Sequence, residues 1–139
     1  MYKNLKLDLT DEKNRWYVKN EWKNSILDNP GIQYRVRFNN SDYGVSIIKT
    51  FGSYGYDQDK WEIALTFKDE YDGRIEEDFD LADGVIGNLT DEQVLEWVEK
   101  LYNAYVARPN EIKKRRYENR IKHCYEEIED LKKELEALH

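Results

Sequence analysis

Apolar and polar residues alternate through the middle of the chain, which predicts a series of short β-strands. The alternating stretches are residues 32–38, 43–50, 61–67 and, more weakly, 74–79. Polar turns at 39–42 and 68–73 and a glycine-containing loop at 51–60 separate them. Short connections between alternating strands favour an antiparallel meander with one face on a core and the other in water.

Two elements are predicted before the meander. Leucines alternate with polar residues over positions 5–9, which indicates a short strand. Thr10, followed by two acidic residues, is typical of a helix N-cap, and apolar residues then recur every fourth position. This spacing predicts a helix over residues 11–27, although the β-favouring run at 16–18 could equally begin a strand. The sequence Asn-Pro-Gly at 29–31 predicts a turn.

Beyond Gly84 the apolar period changes to that of a helix. Thr90 and Gln93 have the spacing of a capping box, which predicts a helix from there to about residue 106. Pro109 interrupts this helix. A second, long helix is predicted over residues 110–139, with Asn110 as its N-cap.

The long helix carries a narrow apolar seam spaced alternately three and four residues apart. The seam consists of Ile121, Cys124, Ile128, Leu131, Leu135 and Leu138. Two apolar positions in seven are typical of helix packing on helix, whereas a helix lying on a globular core shows a wider stripe. The seam therefore predicts a partner, which is either another copy of the chain, in a dimer or trimer, or an earlier helix.

Together these elements predict an α+β fold: an antiparallel β-meander body followed by two C-terminal helices, the last long and oligomerising. A length of 139 residues suits a single domain, with the body in residues 1–107 and the long helix in 108–139. The sequence has one Cys and no run of eighteen apolar residues, and its first residues lack an apolar segment. We therefore expect a cytoplasmic protein with no membrane partner and no disulfide framework.

The net charge of -7 is unevenly distributed. Residues 69–83 contain eight acidic residues and one Arg, whereas the start of the long helix is basic. This basic collar consists of Lys113, Lys114, Arg115, Arg116, Arg120 and Lys122. An acidic body with a basic collar favours an anionic partner at the collar, such as a phosphate, and disfavours stable nucleic-acid binding by the body.

Candidate catalytic and metal sites are weak, so we expect no enzyme activity, cofactor or metal. His123 and Cys124 are adjacent, and helix neighbours point about 100° apart, so they cannot share a small ion well. The stretch 78–84 resembles a calcium loop, but Ala82 occupies a ligand position and no Glu closes the loop. The glycines at 52–55 lack the strand-to-helix setting and the Lys of a phosphate loop, which favours a hairpin loop.

The basic collar is the best candidate ligand site. Arg108, Arg115 and Arg116 could bind phosphates near the helix start at Thr90. The aromatic residues predicted to stack on a nucleobase are Trp16, Tyr17 and Phe79, and Asn88, close to that helix start, completes the candidate set. The alternative is that the collar is a solvated helix face balanced against the acidic body.

Two stretches carry a resemblance: YGVSIIKTFGSYGYDQDKWEIAL and DGVIGNLTDEQVLEWVEKLY, within residues 43–102. They resemble small accessory proteins of phages and prophages of Firmicutes, many of which are counter-defence factors. Among these, a β-sheet body followed by two oligomerising helices is similar to the anti-Thoeris signal-sponge family. The resemblance implies a protein that sequesters a cyclic ADP-ribose isomer or a cyclic oligonucleotide between protomers without cleaving it.

Two other functions remain open from the sequence. The acidic residues between 69 and 83 could imitate nucleic acid and inhibit a nuclease effector, as an anti-CRISPR protein does. Alternatively, the chain is a structural phage protein whose coiled coil only assembles. Charge reversal at Arg115 distinguishes the signal sponge, and neutralisation of the acidic cluster distinguishes the nuclease inhibitor.

Overall fold

A computed structural model of the chain describes residues 3–139. Along the chain, most strands of an antiparallel sheet come before the helices. The strands are β1 (Trp16–Ile26), β2 (Asn29–Phe38), β3 (Tyr43–Lys49), β4 (Trp61–Phe67), β5 (Glu70–Tyr71) and β6 (Ile86–Leu89). The helices are α1 (Ile75–Asp78), α2 (Asp91–Tyr102) and α3 (Pro109–Ala137). The strands follow the order β1-β2-β3-β4-β5, and β6 also pairs with β4. The α+β prediction is confirmed.

One face of the sheet and one stripe of α2 form the core. Alternate residues of β2, from Ile32 to Phe38, are buried, as the period of a strand requires. Val94, Val98 and Leu101 of α2 are fully buried in the same hydrophobic cluster. The predicted strands at 32–38, 43–50 and 61–67 therefore exist and bury the apolar side of their alternation.

The prediction of a helix over residues 11–27 is wrong, because residues 16–26 form β1. This strand pairs antiparallel with β2 from Trp16, opposite Phe38, to Ile26, opposite Asn29. Leu27 and Asp28 connect the strands with φ angles of 52° and 62°. Two left-handed residues form the kind of hairpin turn whose twist matches that of paired strands. The turn predicted at 29–31 is therefore also wrong, since those residues begin β2.

The leucine-rich segment before β1 is irregular, so the strand predicted at 5–9 is wrong, and Thr10 caps no helix. Two of its backbone carbonyls accept hydrogen bonds from aromatic side chains rather than from a strand. Trp16 Nε1 donates to the carbonyl of Leu9 at 2.9 Å, and the Tyr34 hydroxyl donates to that of Leu5 at 2.8 Å. The segment is held against the sheet by these bonds and by the buried Leu9 side chain.

Residues 74–79 include the single helical turn α1, so the weak strand predicted there is wrong. Ile75 and Asp78 are both buried and lie three residues apart, on one face of a helical turn. The additional strand, β6, lies further along, where Leu89 pairs with Trp61 and Ile86 with Ile63. The irregular loop between α1 and β6 returns the chain to the edge of β4 that β5 also occupies, opposite β3.

The capping box that opens α2 is confirmed. Thr90 Oγ1 accepts a hydrogen bond from the Gln93 amide at 3.3 Å, and Gln93 Oε1 accepts one from the Thr90 amide at 2.9 Å. A π-helical turn, Asn103–Ala107, follows α2. Pro109 begins α3 and Arg108 is its N-cap, so Asn110 lies inside the helix. Proline suits the first helical position because its missing N–H has no partner there in any case. Among the described residues, no helix is both long enough and apolar enough to cross a membrane.

Candidate functional site

Only the first part of α3 lies on the body. Ile112 is 5% exposed and packs into the core cluster, and Arg116 and Asn119 are partly buried. Every residue from 120 to 139 is exposed. The helix therefore extends from the body for about 30 Å, at a rise of about 1.5 Å per residue.

Arg116 anchors α3 to the body through Asp78. Its Nε and Nη2 donate to the two oxygens of the Asp78 carboxylate at 2.9 and 2.8 Å. The buried Tyr105 hydroxyl donates to the same carboxylate at 2.6 Å. Burial, and then the hydrogen bond to Asp78, raise the pKa of Tyr105, so it remains protonated. Arg116 therefore has a structural role and is not free for a ligand, contrary to its predicted place in the site.

Arg115 and Phe79 are the predicted site residues that the structure brings together. The guanidinium carbon of Arg115 lies 5.4 Å from the centre of the half-buried Phe79 ring. The pair lines a crevice of about 200 Å³ between α2, the π-helical turn and α3, and the other polar residues that line it are Lys100, Asn103 and Glu111. Trp97 packs edge-on against Phe79 with ring centres 5.6 Å apart and fixes its orientation.

The remaining predicted residues lie elsewhere. Trp16 is buried in the core against Phe38 and Tyr102 and cannot stack on a ligand. Tyr17 is exposed and pairs with Arg37 on the outer side of the sheet. Asn88 is exposed in β6 with a φ of 59°, and Arg108 is exposed at the start of α3.

The acidic cluster at 69–83 is partly neutralised within the chain. Asp69, Asp72 and Asp78 form ion pairs with Arg37, Arg74 and Arg116, respectively. Other members are exposed and line a cleft of about 550 Å³ between the α1 region and α3, together with basic residues of both. The charged and titratable residues of this cleft are Arg74, Glu76, Glu77, Asp80, Lys122 and His123. The acidic residues all lie on the α1 side, beside Arg74, and Lys122 of α3 faces them, so this nearby positive charge weakens the resemblance to a nucleic-acid backbone.

A second small cavity, of about 240 Å³, lies on the outer face of the sheet and was not predicted. Arg35 lines it and stacks on Trp22, with its guanidinium carbon 4.9 Å from the ring centre. The Arg35 Nε is buried, and no acceptor among the described residues lies within hydrogen-bond distance. Burial raises the pKa of Glu62, which also lines the cavity. The sequence signal that could have located this cavity is the set of polar residues that alternate with the apolar ones along the strands.

The seam of α3 is uncovered. Its apolar members are roughly half exposed or more, from 47% for Ile128 to 82% for Leu138. Cys124 is also exposed, so the thiol is not packed within the chain. Because the seam residues are all exposed, no earlier helix of the described chain covers the seam.

No family model, no curated protein and no solved structure matches this chain. What it binds must therefore be inferred from its own side chains. Three surfaces of the described chain serve this purpose: the crevice beside Arg115 and Phe79, the outer cavity beside Arg35 and Trp22, and the seam of α3.

Proposed function

We propose that this protein is a non-enzymatic phage counter-defence protein that binds and sequesters a cyclic nucleotide immune signal. The ligand is a cyclic ADP-ribose isomer or a cyclic oligonucleotide, as the resemblance of residues 43–102 implies. The observation that carries this proposal is the contact between Arg115 and Phe79 at the crevice beside α3. An aromatic ring next to a free cation is the combination that binds a nucleobase and its phosphate.

The crevice suits one nucleobase, with the phosphates outside it. Its volume of about 200 Å³ is below that of pockets that enclose a whole drug-sized ligand. A purine that displaces the Arg115 guanidinium could stack on Phe79, which contributes about 1–3 kcal/mol per base. Arg115 and Lys100 then remain at the rim to bind phosphate oxygens, with Arg108 exposed nearby in sequence at the start of α3.

Each protomer has its own crevice in this arrangement. With Ile121 placed at heptad position a, Arg115 falls at position b, on the side of the helix away from the seam. The crevice therefore does not face a partner across the seam. This geometry favours one ligand per protomer over a ligand shared between the basic collars of two copies.

The test is a thermal-melt screen of the full chain against cyclic ADP-ribose isomers and cyclic di- and trinucleotides. At about 100 times its dissociation constant, a ligand stabilises the folded state by about 2.7 kcal/mol, a shift of several degrees. We expect a shift with at least one ligand, and chromatography should recover that ligand intact. A ligand recovered cleaved, or no shift across the panel, contradicts the proposal.

Matched variants locate the site. Arg115→Glu should abolish the shift, and Phe79→Leu should reduce it because a flat stacking surface is lost. Lys133→Glu makes a comparable charge change on an exposed part of α3 and should retain the shift. If Arg35→Ala abolishes the shift and Arg115→Glu does not, the ligand binds at the outer cavity and the crevice assignment is wrong. If no ligand binds, neutralising Glu76, Glu77 and Asp80 tests the nuclease-inhibitor alternative.

A further inference from the structure

The heptad pattern of α3 includes more residues than the six that define the seam. With Ile121 at position a, Tyr117 falls at d, so the exposed apolar seam starts there and runs to Leu138. Lys114, at the preceding a position, is charged and marks the N-terminal end of the apolar seam. The seam spans about three heptads, and its residues are exposed in the single chain.

The body packs on the opposite side of α3 from the seam. Ile112 and Asn119, which are buried or partly buried, fall at position f, and Arg116, which pairs with Asp78, falls at position c. Positions f and c lie on the outside of a coiled coil, whereas a and d lie on its inside. A second helix can therefore cover the seam without displacing the body.

We propose that α3 forms a parallel, in-register, two-stranded coiled coil with a second copy of this chain. The choice of two strands follows from the seam residues. Ile121 and Ile128 occupy the first two a positions, and Leu131 and Leu138 occupy d positions. β-branched residues at a with Leu at d favour a parallel dimer over larger assemblies.

The charges beside the seam select the parallel orientation. In a parallel pair, each g residue faces the e residue five positions later in the second copy. This rule pairs Glu127 with Lys132 and Glu134 with His139, and at the body end Lys113 with Glu118. An antiparallel pair that covers the same seam instead places g beside g, which brings Glu127 of one copy near Glu134 of the other. Charge complementarity therefore favours the parallel arrangement.

The orientation has two structural consequences. Both bodies lie at the same end of the coiled coil, on its outer sides. Cys124, at a d position, then faces Cys124 of the second copy across the seam. In the antiparallel pair Cys124 lies opposite Leu135, so the two cysteines are offset by about 11 residues, about 16 Å along the axis. A disulfide requires Cα atoms within about 7 Å of each other.

The single cysteine makes a direct test possible with the full-length protein and no ligand. Light scattering should give the mass of a dimer, and diamide should convert it to a dimer that persists in denaturing, non-reducing electrophoresis. In this reaction the two thiols form one S–S bond, and diamide takes up the two protons and two electrons. A monomer or trimer mass, or a dimer that diamide does not cross-link, overturns the proposal.

Cysteines moved to other positions of α3 distinguish cross-linking within an aligned coiled coil from cross-linking by random collision of two chains. In a Cys124→Ser background, Leu131→Cys at position d should cross-link as fast as the native protein. Lys133→Cys at position f should cross-link at least about tenfold more slowly, because f faces outward. Equal rates for the two variants also overturn the proposal. Since no ligand is involved, failure of this test is distinguishable from failure of the proposed nucleotide site.

Discussion

The guanidinium of Arg116 and the carboxylate of Asp78 form a two-point ion pair that joins α3 to the body. Asp78 is 1% exposed, and the Tyr105 hydroxyl donates to the same carboxylate. One short helical turn, one π-helical turn and the start of α3 therefore meet at a single acidic side chain. The pair fixes the direction in which α3 leaves the body.

Removing the Arg116 side chain should destabilise the fold. Arg116→Ala leaves Asp78 buried without its cationic partner, and such a loss costs about 3–5 kcal/mol. Chemical denaturation monitored by Trp fluorescence measures the change. Arg115→Ala is the matched control, because Arg115 is exposed and forms no ion pair within the described residues. Its loss removes only the contact with Phe79, so stability should fall by no more than about 1 kcal/mol. Equal losses for the two variants would contradict the structural role of Arg116.

Because of Asp69, the free energy of unfolding should depend on pH in the acid range. Hydrogen bonds from Lys19 and Arg37 lower the pKa of Asp69 from its ordinary value of 3.8 to about 2. Because the folded-state pKa is depressed, the stabilisation is present above pH 3.8 and is lost as the pH falls towards about 2. Asp69→Asn should flatten the stability profile across this window in urea titrations. Glu70→Gln, at an exposed neighbour, should leave the slope unchanged.

Residues that favour a left-handed backbone should stabilise the turn between β1 and β2. Leu27 and Asp28 both have left-handed backbones, which favour Asn and Gly. The double variant Leu27→Asn/Asp28→Gly should stabilise the hairpin by about 1 kcal/mol, since a left-handed conformation costs about that much in most residues. Amide hydrogen exchange in β1 provides the readout. Leu27→Ala removes the exposed apolar side chain without supplying a left-handed former, so it should give no gain.

Reversing one charge beside the seam should weaken the proposed dimer. Reversing the charge of the residue that faces it as well should restore the dimer. In the proposed parallel coiled coil, Glu127→Lys places a like charge opposite Lys132 of the second copy at two symmetric positions. Each exposed pair contributes about 0.5 kcal/mol, so the dimer dissociation constant should rise by about fivefold. The double variant Glu127→Lys/Lys132→Glu reverses both charges and should recover the native constant in sedimentation equilibrium. A double variant that is weaker than the single one would contradict the parallel pairing.

The local periodicity of the sequence determined much of the fold. Alternation over residues 32–67 located β2, β3 and β4 because these strands are buried on one face only. The capping box at Thr90 located the start of α2, because both of its hydrogen bonds lie within four residues. The heptad spacing beyond residue 120 likewise predicted the long helix and the position of its apolar seam, but not whether an earlier helix covers that seam. Each of these signals is contained in a short segment.

Long-range contacts decided the rest. Val18, Trp22 and Ile26 are spaced by four, which suits one face of a helix and also one face of a strand, so only the pairing with β2 settles the conformation of β1. Arg115 and Arg116 are identical residues at adjacent positions, and no local pattern separates their roles. Asp78, 38 residues earlier in the chain, pairs with Arg116 and gives it a structural role, whereas Arg115 remains exposed beside Phe79. A buried charge pairs with the partner that tertiary packing brings within hydrogen-bond distance. A shift of one residue along a helix is enough to decide which of the two arginines is that partner.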